Sequence, residues 1–187
     1  MAESACDQRA SSALPPGGAT TVQREPLTDA IVRAAYAPSL ITSIANSFMY
    51  GGSRVYFQKF GVRINEWRVM NTLAARPGAV ATEIATALGL DKGVISRTVS
   101  SLEKNKLIII EREVGAKRLY LTNVGVSIQR QIVPLSRRRL QELLKGFSDA
   151  ETAEFMGYLG RATDNLQNLR EFDQELIHEV GQARETA

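Results

Sequence analysis

The stretch LGLDKGVISRTVSSLEKNKLI, residues 88–108, holds a glycine turn, a capping aspartate, a helical pattern and then the start of a β-branched run. Asp91 can accept from the first free N–H groups of a helix that runs to about Asn105. At about 100° per residue, Ile95, Thr98, Val99 and Leu102 fall on one side, which predicts a packed face. The opposite side carries Gly93, Arg97, Ser100 and Lys104, flanked by Ser96 and Ser101, with Lys92 and Val94 at the N-terminal end. This outer face is basic and hydroxylated, with no acidic residue at its centre. Taken alone, such a helix reads equally well as an ordinary solvated surface, so its neighbours decide.

Before it, TEIATALGL (82–90) predicts a short helix stopped by Gly89. Further upstream, INEWRVMNTLAARPG (64–78) predicts a helix capped by Asn65 and ended by Pro77 and Gly78. Its inner face is read as Trp67, Met70, Leu73 and Ala74. After the quoted stretch the period changes. Ile108, Ile109 and Ile110 are β-branched, Val114 and Gly115 suit a turn, and residues 117–121 alternate polar and apolar, which predicts a β-hairpin. Net charge is +4 over residues 63–121, against +1 before and −2 after. A short helix, a glycine turn, a helix with short polar side chains and a basic hairpin make a helix-turn-helix suited to the major groove of double-stranded DNA. N–H groups at the helix start favour a phosphate as well.

The remaining chain reads as flanking structure. Residues 1–26 are rich in small and turn-favouring residues and predict a disordered tail containing Cys6. Residues 27–62 are helical, with Pro38 dividing a short helix from a longer one. The longer helix carries an apolar stripe (Ile41, Ile44, Phe48, Val55) and a polar–aromatic one (Ser43, Ser47, Tyr50, Arg54). Residues 63–121 form the DNA-binding domain. Residues 122–187 predict two helices. The first is capped by Thr122, striped with Ile128, Ile132 and Leu135, and kinked at Pro134. The second opens at Ser148 and Asp149, and repeats Phe155, Leu159, Ala162, Leu166 and Leu169 as a seam for a partner helix. Arg137, Arg138 and Arg139 read as a solvated face. The terminal helices carry more apolar surface than the small middle unit can cover, so a symmetric homodimer is expected. The fold class is mainly α with a small β-hairpin: a winged helix-turn-helix plus N- and C-terminal dimerisation helices.

Other chemistry finds little support. The chain of 187 residues has one cysteine and one histidine, Cys6 and His178. That excludes an internal disulfide framework and disfavours a zinc cluster or a Cys–His or Ser–His nucleophile pair. Gly-rich phosphate loops are absent, so no enzyme, cofactor or metal is expected. No apolar run approaches the roughly 18 residues that span a bilayer, and no secretory signal opens the chain. A cytoplasmic protein without a membrane partner is the expectation.

Residues 66–125 resemble the core of the MarR family of bacterial winged-helix regulators, and the likeness extends over residues 39–169. It is carried by LGLDKxxxSRxVxxLExxxLI (88–108) and KRLYLTxxG (117–125). The resemblance implies homodimers on pseudo-palindromic operators, with dimer contacts from the terminal helices. Many such regulators are repressors released by small aromatic or phenolic anions. By that likeness, the DNA-binding set is Lys92, Gly93, Val94, Ser96, Arg97, Ser100, Ser101, Lys104, Arg112, Lys117 and Arg118. Ser43, Ser47, Tyr50, Arg54 and Trp67 would line an effector pocket. There Arg54 would pair with a carboxylate while Tyr50 and Trp67 cover an aromatic ring. Two departures stand out. Gly93 and Val94 occupy positions where the family often has Ser and Thr, so operator preference does not transfer. The hairpin tip, Val114, Gly115 and Ala116, is short, so Arg112, Lys117 and Arg118 are expected on phosphates rather than in a minor groove. Loss of Arg118 should then weaken specific and random DNA alike. Two other readings stay open: a ligand-independent or Cys6-redox-tuned DNA-binding protein, and a winged helix used for protein contacts.

Overall fold

The computed structural model describes residues 22–113 and 115–185, and most of the expected tail, with Cys6, lies outside them. Its elements run in the order α1 (Ala37–Phe60), α2 (Ile64–Ala75), α3 (Ala81–Leu88), α4 (Lys92–Lys104), β1 (Ile108–Glu113), β2 (Ala116–Leu121), α5 (Asn123–Leu143), α6 (Asp149–Asp164) and α7 (Leu166–Glu185). A 3-10 turn, Arg33–Ala35, precedes α1. The described residues divide between Ser47 and Phe48 into two compact units. In the first, the Arg33 guanidinium donates to the Ser43 hydroxyl, and Leu27, Ile31 and Val32 are exposed. Pro38 stands in the first turn of α1, where its missing N–H has no intrahelical partner to lose. It therefore starts the long helix and does not divide two.

The second unit holds the core, built from Tyr56, Val62, Val69, Met70, Leu73, Ile84, Ile95, Leu102, Ile108, Leu119 and Ile132. Helix α2 buries Glu66, Val69, Met70 and Leu73. This shifts the expected face: Ala74 is exposed, and Trp67 is half-buried with its ring 5.4 Å from that of Tyr56. The expected Asn65 cap is also replaced. The cap is Arg63, two residues earlier, and Glu66 Oε2 accepts from the Arg63 N–H at 2.6 Å.

The sequence signals around the quoted stretch are realised in order. Gly89 ends α3 with φ +61°, the left-handed region glycine enters freely. Asp91 Oδ1 accepts from the Val94 N–H at 2.8 Å and opens α4. Its buried residues are Ile95, Thr98, Val99 and Leu102, the predicted set. Thr98 sits among them because its hydroxyl donates to the Val94 carbonyl at 2.8 Å. The strands pair antiparallel, with Ile108 opposite Leu121 and Arg112 opposite Lys117. A third edge was not foreseen: Val80 bridges Arg118, and the Gly78 N–H donates to the Leu119 carbonyl at 3.0 Å.

Thr122 caps α5 by accepting from the Gly125 N–H at 3.0 Å. Helix α5 continues through Pro134 and packs Ile132, Ile128 and Leu135 against the core. The expected single last helix is interrupted at Asn165, giving α6 and α7. None of the described helices is long and apolar enough to cross a membrane.

Candidate nucleic-acid interface

Lys92, Gly93, Ser96, Arg97, Ser100 and Lys104 are exposed on α4, while Val94 and Ser101 are half-buried. The core fixes α4 by its inner face, so the outer face must turn away. On one flank, α4 and the hairpin enclose a groove of about 420 Å³. Ile95, Val99 and Ile110 form its apolar floor, and Lys92, Ser96, Ser100, Arg112 and Lys117 form its polar walls. Five of the expected DNA-binding residues, from two distant stretches, thus meet in one place. The sequence reading missed Glu103, which shares that wall.

Arg112 and Lys117 are direct partners across the ladder. Like charges placed so repel, typically by about 0.2–1 kcal/mol relative to a neutral pair. Arg118 is engaged differently. Its Nε donates to Glu113 Oε2 at 2.5 Å and its Nη1 to the Gly78 carbonyl at 3.2 Å. The hydrogen bond and the charge of Glu113 hold the guanidinium above its ordinary pKa. Arg118 therefore braces the hairpin against the α2–α3 connection, with its side chain still 42% exposed.

The opposite flank of α4 faces α2 and the end of α1 across a cleft of about 570 Å³, lined by Phe57, Arg63, Glu66, Arg97, Ser101 and Asn105 among others. Ser101 does not face outward here: its hydroxyl donates to Glu66 Oε1 at 2.6 Å. Arg68 Nη2 donates to the Leu88 carbonyl at 2.8 Å, and burial lowers its pKa. The arginine run on α5 splits. Arg137 and Arg138 are exposed, as a solvated face requires, but Arg139 turns inward. Its Nη2 donates to the Phe48 carbonyl at 2.8 Å, and its guanidinium lies 4.5 Å from the Phe48 ring centre.

The effector candidates are divided between the two units. Ser43 and Ser47 lie in the first unit. Tyr50, 72% exposed, and the exposed Arg54 lie on α1. Trp67 packs on Tyr56, and no hydrogen bond or ring contact joins it to Tyr50 or Arg54 among the described residues. The Trp67 indole N–H and the Tyr56 hydroxyl are buried without a partner there. His178 is exposed on α7, its Nε2 at 2.9 Å from Gln182 Nε2.

Two helices joined by a glycine turn, a hairpin and a basic groove between them define a winged helix-turn-helix protein. Residues 60–119 match the model of the MarR family. A transcriptional regulatory protein described for the hcr operon of Thauera aromatica is 28% identical over 104 residues, 54% of this chain. The chain spans 63% of that relative's length. A MarR/EmrR family transcriptional regulator from Acinetobacter sp. ADP1 superposes with a TM-score of 0.69 at 28% identity, over 74% of this chain and 99% of that one. A MarR family regulator from Listeria monocytogenes, solved with a 26mer DNA, gives 0.68 at 21% identity, over 71% and 90%. The chain is similar to transcriptional regulators of the MarR family, whose model matches its winged unit.

Proposed function

We propose that this chain binds double-stranded DNA as a homodimer and regulates transcription from a pseudo-palindromic operator, as a repressor released by a small aromatic or phenolic acid. The carrying observation is the cross-strand pair Arg112 and Lys117, set with Lys92 around a groove beside the hydroxyls of Ser96 and Ser100. Two like charges held opposite each other weaken the free hairpin; a phosphate between them turns the repulsion into two attractions. Gly93 leaves the first turn of α4 thin enough for a base pair to approach, with Arg97 and Lys104 on the same face. Arg118 would meet a phosphate only with the guanidinium face left free by Glu113. The Listeria neighbour, complexed with DNA, shares this fold.

Dimerisation is supported by exposed Leu166, Leu169, Phe172, Leu176 and Val180 on α7, one apolar line that the single chain leaves open. The effector reading rests on Trp67 and Tyr56. Their buried donors lack acceptors, a loss of typically about 1–3 kcal/mol each that a carboxylate or phenolate oxygen would remove. Tyr50 and Arg54 stand exposed on the helix that carries Tyr56.

The test is a gel shift with DNA flanking the chain's own coding sequence, over a salt series, with and without benzoate, salicylate and 4-hydroxybenzoate. The proposal expects a complex that survives competitor DNA, an affinity falling linearly with salt on logarithmic axes, and release by one of the acids. Absence of any complex at low salt contradicts DNA binding. A complex indifferent to every acid contradicts the effector part alone.

A further inference from the structure

We infer that Glu66 and Ser101 form a positioning clamp that sets the rotation of the recognition helix α4, and that Ser101 acts through Glu66 without touching DNA. The inference rests on the DNA-binding reading of α4 and adds the means by which its face is aimed. Glu66 is only 6% exposed, and both carboxylate oxygens have partners. Oε1 accepts from the Ser101 hydroxyl and Oε2 from the Arg63 N–H, each at 2.6 Å. One carboxylate therefore joins the third turn of α4 to the chain entering α2. Two residues further along α2, Arg68 holds the Leu88 carbonyl at the end of α3. Both helices of the helix-turn-helix are thus tied to α2 by charge-assisted hydrogen bonds.

The apolar contacts of Ile95, Val99 and Leu102 cannot do this alone. Burial of apolar area is non-directional and tolerates a small rotation about the helix axis. A bond from a buried carboxylate to a hydroxyl is short and directional, and Ser101 lies on the flank of α4, where a rotation moves it most. A turned α4 would leave phosphate contacts largely in place, because lysines and arginines reach far, but would misplace the short side chains of Ser96 and Ser100 against base edges.

A double-substitution cycle tests this on the full chain, with Ser101→Ala, Glu66→Gln and both together. Glutamine keeps the size of glutamate but has only one acceptor oxygen for two donors. Binding to the operator and to a random duplex is read by fluorescence anisotropy. Hydrogen exchange of α4 amides is read in the free protein, so one arm does not depend on DNA. The clamp predicts that each single variant loses roughly three- to tenfold in operator affinity, the size of one hydrogen bond. The double variant should lose no more than the worse single one, and random-duplex affinity should stay unchanged. Faster exchange in the last turns of α4 should appear in both single variants, and Ser101→Thr should restore both readouts. Additive losses, or a loss in Ser101→Ala that Glu66→Gln does not share, would overturn the clamp and make Ser101 a DNA contact. Unchanged α4 exchange would overturn it too. If the unaltered chain bound no DNA, the proposed function would fail, and the exchange arm would still decide the clamp.

Discussion

On the proposed DNA-binding role, Arg112 and Lys117 put function and stability in opposition at two side chains. Lys117→Ala should stabilise the free protein, by about 0.2–1 kcal/mol, because it removes a like-charge pair from the ladder. The same substitution should weaken DNA binding, so thermal melts and binding curves must move in opposite directions. If both fall together, the pair is not the repulsive contact described. Gly125 works by space. A Cβ there would lie 2.1 Å from the Leu107 carbonyl oxygen, which also accepts from the Thr122 N–H at 3.0 Å and so cannot easily move. Gly125→Ala should cost about 1–3 kcal/mol, the range for overpacking, read as a lower midpoint in urea unfolding. At this scale the sequence was most legible where one helix decided the answer: Asp91 as cap, and Ile95, Thr98, Val99 and Leu102 inside. It was least legible where a second element decides. At 100° per residue, Ser101 lies beside Val94 and Glu103 beside Ser96, on opposite flanks of α4. Only the placement of α2 and the hairpin gives Ser101 to Glu66 and Glu103 to the groove. Arg139 reads like its neighbours Arg137 and Arg138 until Phe48 is set against it.

Among the elements, boundaries marked by glycine or a short polar side chain came through clearly, as at Gly89, Asp91, Thr122 and Ser148. Long-range pairing did not. The bridge from Val80 to Arg118 joins residues far apart in the chain, and VAT carries no alternating run to announce it. The start of α2 misled for a related reason. Asn65 is a better cap by type, yet Glu66, at the third helical position, reaches back to the Arg63 N–H and takes that role. The cap of α6 makes a pH prediction. Glu151 accepts from the Ser148 N–H and from its hydroxyl, and these bonds, the backbone one foremost, hold its carboxyl below the ordinary value of 4.5. A carboxyl depressed in the folded state contributes stability above its unfolded pKa, and that contribution is lost as pH falls through the folded value. The first turn of α6 should therefore exchange its amides faster as pH is lowered below about 4.5, once intrinsic rates are corrected. In Ser148→Ala that acid dependence should shrink; an equal dependence in both proteins would contradict the assignment.

Across the whole molecule, the winged unit closes its core within one chain, while α7 leaves Leu169 and Phe172 each 53% exposed. The heptad-like spacing through Leu166 and Leu169 was readable, and the line continues through Phe172, Leu176 and Val180. What the spacing hid was the break at Asn165, since its backbone stays helical and the apolar repeat runs across it. If this line is the proposed dimer seam, Leu169→Glu with Phe172→Glu should yield monomers by sedimentation while leaving the fold of the winged unit intact. Operator binding should then fall far more than random-duplex binding, because two half-sites are no longer joined. A doubly substituted chain that still sediments as a dimer would place the seam elsewhere.

In the proposed function, the outer face of α4 and the hairpin groove meet DNA together. This is tested most directly by the salt dependence of binding to operator and random duplexes, for the unaltered chain, Arg97→Ala and Lys117→Ala. Lys117→Ala should weaken both duplexes alike and reduce the slope of log affinity on log salt by about one. Arg97→Ala should cost the operator more than the random duplex. Slopes and preferences unchanged in both variants would mean that DNA, if bound at all, is bound by another face of the molecule.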